Sequence, residues 1–161
     1  MNTAVVEVDY HQFHLIDGDE SPIAENPKNG LVEVFPAAAI VHTGISVGVV
    51  NVEVAALSSA PEPALDAWDE VIDVSLSAPL GLLRVFALLG RTPDLPILTA
   101  HGPGSYRLRV HARGRDTAID LAAEVPVEDY LIQVWAASPD VERIHKQTDK
   151  YGAQLRSLAG A

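Results

Sequence analysis

The stretch from Gly104 to Asp116 constrains the fold of this chain more than any other. Tyr106, Leu108, Val110 and Ala112 are apolar or small, and they alternate with Arg107, Arg109, His111 and Arg113. A period of two residues is that of a half-buried strand, with one face on a core and the other turned away from it. Similar segments recur along the chain at turn-marked intervals, and no helical period separates them. Without crossover helices a parallel βαβ sheet is disfavoured. The pattern predicts an all-β chain, an antiparallel β-sandwich of jelly-roll or Greek-key type.

In order along the chain, Val6, Val8 and Tyr10 share one face, and Phe13 and Leu15 then become the apolar positions. The phase slips near His11–Gln12, which predicts a β-bulge. Residues 31–42 and 45–57 read as a long hairpin around Thr43-Gly44, with apolar side chains on both faces of the second arm. Strands are also predicted at 68–78, 82–89 and 129–137. After Pro139 the period changes: Val141, Ile144, Thr148, Tyr151, Leu155 and Leu158 recur at threes and fours. That spacing predicts an amphipathic helix ending near Gly160, although Gly152 would weaken its middle by about 1 kcal/mol relative to Ala. The expected organisation is a sandwich domain over residues 1–138 and a C-terminal helix over 139–161, packed on it or extending from it.

The 161-residue length suits one such domain. With no cysteine, disulfides, thiolate catalysis and cysteine-ligated metals are excluded. Met1-Asn2-Thr3-Ala4-Val5 shows no secretory pattern and no apolar run is long enough for a membrane helix, so the expectation is a cytoplasmic protein with no membrane partner. The net charge of -11 opposes a general grip on nucleic-acid phosphates and suits a basic partner.

Several local motifs read as structure. Asp17-Gly18-Asp19-Glu20 resembles a fragment of a calcium loop but lacks the remaining ligands, so it reads as a turn. The six histidines show no HxH or HxxxH spacing, and no metal or other cofactor is expected. His101-Gly102-Pro103-Gly104 leads into a strand, so it lacks the helix N-terminus of a phosphate loop. No nucleophile elbow is present, and no catalytic residue is assigned.

Two charged groups remain. Asp66, Asp69, Glu70 and Asp73 form an acidic face that would contact a basic protein. Arg107, Arg109, His111 and Arg113 form a cationic row in an acidic protein. That row reads either as one half of a ladder against an acidic neighbouring strand or as an anion or partner contact, since Arg forks recognise carboxylate and phosphate.

Asp9-Tyr10-His11-Gln12-Phe13 resembles the start of the competence protein J family, inhibitors of a bacterial DNA-entry nuclease. Glu128-Asp129-Tyr130-Leu131-Ile132-Gln133-Val134-Trp135 is similar to that family's late strand. The resemblance implies a β-sandwich that binds and blocks a nuclease, as a non-enzymatic inhibitor or immunity-type protein. Both segments read as core and register features, so no inhibitory residue is carried over. The alternatives are a sandwich binding a small ligand or carbohydrate, through Trp68 or Trp135 with His11 and the Arg row, and a jelly-roll metalloenzyme. The flat β-rich faces and the helix also leave room for a homodimer.

Overall fold

The computed structural model describes residues 2–160 and contains two sheets packed face to face. In the larger, the strands lie in the order β1 (Asn2–Val8), β5 (Val47–Leu57), β10 (Asp129–Ala136), β8 (Gly104–Arg113), β6 (Glu70–Ala78) and β11 (Arg143–Gln147). The two-residue β9 (Ala122–Ala123) pairs with β5. The smaller sheet runs β3 (Val32–Phe35), β4 (Ala38–His42), β2 (Gln12–Asp17) and β7 (Leu83–Ala87). Neighbours are antiparallel except that β5 runs parallel to β10 and β9. One helix, α1 (Lys150–Ala159), follows the strands. This is the expected all-β sandwich.

Alternation fills the core. Val6, Val8, Val50, Val52, Val54, Ile72, Val74, Leu76, Leu108, Val110, Ile132 and Val134 project from the larger sheet. Phe13, Leu15, Ala39, Val41 and Val85 meet them from the smaller one. Phe13 and Tyr130 pack edge to face with centroids 5.1 Å apart, an arrangement favoured by the ring quadrupoles.

Three local expectations are corrected. The phase slip near His11 is a two-residue turn and not a bulge. Tyr10 and His11 have φ of 51° and 60°, and the Gln12 amide donates to the Asp9 carbonyl at 3.2 Å. The turn moves the chain from β1 in one sheet to β2 in the other, and Tyr10 leaves the core face for solvent. The long hairpin over 31–57 does not form either. β3 and β4 pair around Pro36-Ala37, and Thr43-Gly44 carries the chain across to β5 in the opposite sheet. Gly44 lies so close to the Arg115 carbonyl that any Cβ would collide with it, which restricts that crossing to glycine.

The helix is also shorter than its apolar spacing predicts. Residues 143–147 form β11 on the edge of β6, with a register shift between Ile144 and Lys146. Val141 and Ile144, placed on a buried helical stripe by periodicity, are 74% and 49% exposed. The unpaired edge of β6 explains the change, because its amides and carbonyls need a strand partner that a helix cannot supply. α1 begins after Asp149, whose side chain caps it by accepting from the Gly152 amide at 2.7 Å.

Candidate functional site

The cationic row of β8 lies between two strands that neutralise it. Asp73 of β6 is the register partner of Arg109, and Asp129 of β10 is the partner of Arg113. Arg109 grips both Asp73 oxygens, from Nε at 2.7 Å and Nη2 at 3.1 Å, in the fork geometry that makes Arg–carboxylate pairs strong. His145 of β11 adds a third contact to Asp73 at 3.0 Å. Burial alone would raise the Asp73 carboxyl, but the Arg109 and His145 hydrogen bonds outweigh it and hold the group below the ordinary carboxylate range. Arg113 pairs with Asp129 at 2.9 Å in a half-exposed setting.

This face of the sheet is roofed. Residues 58–69 and the connection that leads into β11, through Asp140 and Val141, cover it. Trp68 lies over Arg113, 4.6 Å from its guanidinium carbon, and tilts against His111 at 5.2 Å. Arg109 donates to the Pro61 carbonyl at 2.7 Å and lies 5.1 Å from the Trp135 ring centroid. Arg107, Arg109 and His111 are accordingly buried. Burial lowers the His111 imidazole below its usual range, and its Nδ1 donates to the Leu131 carbonyl at 2.9 Å. Both faces of β8 are therefore interior: Tyr106, Leu108, Val110 and Ala112 in the sandwich, and the basic residues beneath the roof.

The acidic face does not survive as a unit. Asp66 is exposed, and Asp69 is half-buried and accepts the Gly114 amide at 3.0 Å. Asp73 is buried under Arg109. Glu70 is wholly buried, its Oε2 accepting the amides of Thr148 at 2.6 Å and Asp149 at 3.0 Å. Burial is the main cause that raises the Glu70 carboxyl above its usual range. Glu70 and Asp73 are therefore engaged inside the fold: one holds the start of α1 and the other holds the roofed ladder. Beside Glu70, the fully buried Arg115 forks onto Asp149 from Nε at 2.7 Å and Nη2 at 2.9 Å.

A surface that sequence reasoning missed lies at the end of the sandwich carrying the Tyr10–His11 turn. Three non-glycine residues with left-handed backbone meet there: Tyr10, His11 and Asp120, the last with φ of 63°. Such backbone costs energy and persists where surroundings enforce it. His11 Nε2 lies 3.1 Å from Asp120 Oδ1, its Nδ1 donates to the Thr43 carbonyl at 2.9 Å, and its ring stacks on Tyr151. The His11 amide donates to Ser46, and the Ser46 amide donates to Leu121. Around this fixed turn Tyr10 is 73% and Leu121 61% exposed, and Asp120 is exposed beside them; Asp116 is exposed too, but its two oxygens accept the amides of Lys150 and Tyr151 at 2.9 Å each. The available signal was the phase slip itself, since a turn between two sheets throws its central side chains outward.

Among the described residues, no three His, Asp or Glu side chains gather as a metal-binding group. Asp17, read as part of a turn, is buried and accepts the amides of Leu80 at 2.7 Å and Leu82 at 2.6 Å, tying the β6–β7 connection to β2. No helix among the described residues is long and apolar enough to cross a membrane.

No protein-family model matches the sequence, and no curated protein matches it. Among solved structures, the fold is similar to the crystal structure of ComJ from Bacillus subtilis, an inhibitor of the DNA-degrading activity of NucA. The match has a TM-score of 0.57 at 12% identity and covers 85% of this chain and 96% of ComJ. A second similar structure is crocagin biosynthetic gene J, with a TM-score of 0.51 at 16% identity, covering 86% of this chain and all of that one. At these identities the likeness is one of fold, and the chain carries a ComJ-like sandwich.

Proposed function

We propose that the chain is a non-enzymatic protein-binding module that inhibits a nuclease by setting acidic surface against its basic DNA cleft. The observation that carries this reading is the ComJ-like fold, which extends over most of both chains. The net charge of -11 supports it, because an acidic surface steers encounter with a cationic cleft. In this reading the partner contact is the Tyr10 end. Tyr10 is an exposed aromatic on a backbone fixed by hydrogen bonds, the character of an interface anchor, and the exposed Asp120 pairs with its neighbour His11. Asp66 and Asp69 form a secondary acidic contact at most.

The test is a plasmid-degradation assay with the nuclease that co-purifies with the tagged chain from its native cells. Stoichiometric suppression of cleavage is the expected result. Tyr10→Asn preserves the left-handed turn, because Asn tolerates positive φ, and should weaken inhibition by roughly 30-fold or more. Absence of any DNA-degrading activity among captured proteins, or cleavage unaffected by excess protein, would refute the function. Full inhibition by the Tyr10→Asn protein would refute the placement alone.

A further inference from the structure

A second site lies away from the Tyr10 end, where the roof over β8 is incomplete. Trp135, Arg107, Arg143 and His145 line a cleft of about 320 Å³ between the turn that joins β10 to β11 and the 58–63 segment. That volume is in the range of roughly 300–1,000 Å³ that small-molecule sites occupy.

The charges in this cleft are not balanced. Arg109 and His145 share the Asp73 carboxylate. Arg107 is 5% exposed, yet its hydrogen bonds go to neutral acceptors: the Ser75 hydroxyl at 2.8 Å, the Asp140 carbonyl at 2.9 Å and the Val141 carbonyl at 2.5 Å. Among the described residues no carboxylate pairs with Arg107 or with Arg143. Asp140 also lines the cleft and its Oδ1 accepts the Val141 amide at 2.8 Å, but its carboxylate makes no ion pair with either guanidinium, and with Asp73 it leaves two carboxylates against Arg107, Arg109 and Arg143. A guanidinium removed from water without a counter-ion is unfavourable, and a charge-assisted bond to an anion relieves it. In a chain of net charge -11, a cleft with two unpaired guanidinium groups selects against the surrounding surface and for an anion.

We propose that this cleft binds the oxyanion of a small organic ligand, a carboxylate or a phosphate, between Arg107 and Arg143, with Trp135 as the apolar wall for the rest of the molecule. Arg107 supplies the fixed, desolvated charge. Arg143 is exposed at the start of β11 and closes on the anion from the solvent side. Arg109 lies over one face of the Trp135 indole and the residue is only 6% exposed, so little ring surface is free for an uncharged sugar to stack on. This site does not depend on the nuclease reading.

The experiment is a calorimetric titration of the purified chain with inorganic phosphate and, separately, benzoate, at ionic strength held constant with chloride. Saturable binding of one of them is expected, and whichever saturates identifies the oxyanion. Arg143→Gln should reduce that affinity about tenfold, while Arg113→Gln, an exposed Arg already paired with Asp129, should leave it unchanged. In a Trp68→Phe background, which leaves Trp135 as the sole tryptophan, the saturating anion should shift the indole emission. The inference stands on Arg143, which is exposed and makes no side-chain hydrogen bond or ion pair among the described residues. No saturable binding of either anion up to about 10 mM, or an equal loss in the Arg113 and Arg143 variants, would overturn the proposal.

Discussion

Replacing Arg115 with Met should be among the most damaging single changes in this protein. Arg115 has no exposed surface, and its guanidinium joins three segments distant in sequence. Nε and Nη2 fork onto Asp149 at the head of α1, while Nη1 donates to the carbonyls of Gly30 at 2.9 Å and His42 at 3.1 Å. Met fills similar volume but leaves the Asp149 carboxylate buried, with Glu70 beside it and two carbonyls without donors. Removing one member of a buried pair costs about 3–5 kcal/mol, a large part of a typical total stability of about 5–15 kcal/mol. In urea unfolding at an m-value of roughly 2 kcal/mol/M, the midpoint should fall by about 1.5–2.5 M. Adding Asp149→Asn removes the stranded charge and keeps the cap, since the Asn oxygen can still accept the Gly152 amide. The double variant should therefore be more stable than the sum of the two single losses, by about 0.5–3 kcal/mol. A loss below about 1 kcal/mol for Arg115→Met, or strict additivity in the cycle, would refute the view of Arg115 as the tie that binds the C-terminal segment.

Two further predictions concern the interior. His14 is wholly buried near the buried His42, and burial first, then the His42 charge, lowers its pKa from 6.5 to about 4. The folded state thus resists a proton that the unfolded chain accepts. The contribution to stability is complete above pH 6.5 and is lost as pH falls toward 4, by up to about 1.4 kcal/mol per pH unit. Urea midpoints between pH 7 and 4 should show this slope, and a His14→Leu protein with the same slope would contradict it. Gly152→Ala should destabilise the protein in thermal melts even though Ala favours helices by about 1 kcal/mol. A Cβ there would stand 2.7 Å from Asp149 Oδ1 and 2.8 Å from Arg115 Nη2, so a raised melting temperature would contradict the packing described.

What was legible in the sequence follows the reach of the forces involved. Alternation along β8, β6 and β10 reports burial on the sandwich face directly, so these strands and the sheet-facing Val and Leu residues could be read from local pattern. The partner of each strand could not. Residues 31–42 and 45–57 look like one hairpin because both arms are strand-like, whereas Gly44 takes the chain across to the other sheet. Val141 and Ile144 mimic a helical stripe, but the unsatisfied edge of β6 outweighs the local period. The acidic and basic groups were visible as residues and their mutual neutralisation was anticipated as one reading. Which carboxylates remain at the surface depends on the roof formed by residues 58–69, and nothing in the local sequence of Glu70 or Asp73 announces it. The Tyr10 surface was hidden for a related reason: a turn between sheets and a bulge within one produce the same one-residue phase slip.

The parallel pairing of β5 with β10 has a consequence for how the chain acquires its structure. β5 meets β1 within the first 57 residues, but apart from the two residues that β9 covers its other edge waits for residues 129–136. During synthesis the strand that will lie inside the sheet therefore stands as an open edge while more than half of the chain is still to come. Closing so long a loop is entropically unfavourable, which makes pairing of β10 a late event and the emerging N-terminal half vulnerable to association with its own kind. A nascent chain released before Asp129 would present that edge permanently, whereas one that has reached Ala136 can cover it by inserting a single strand between β5 and β8, leaving β11 to add at the β6 edge.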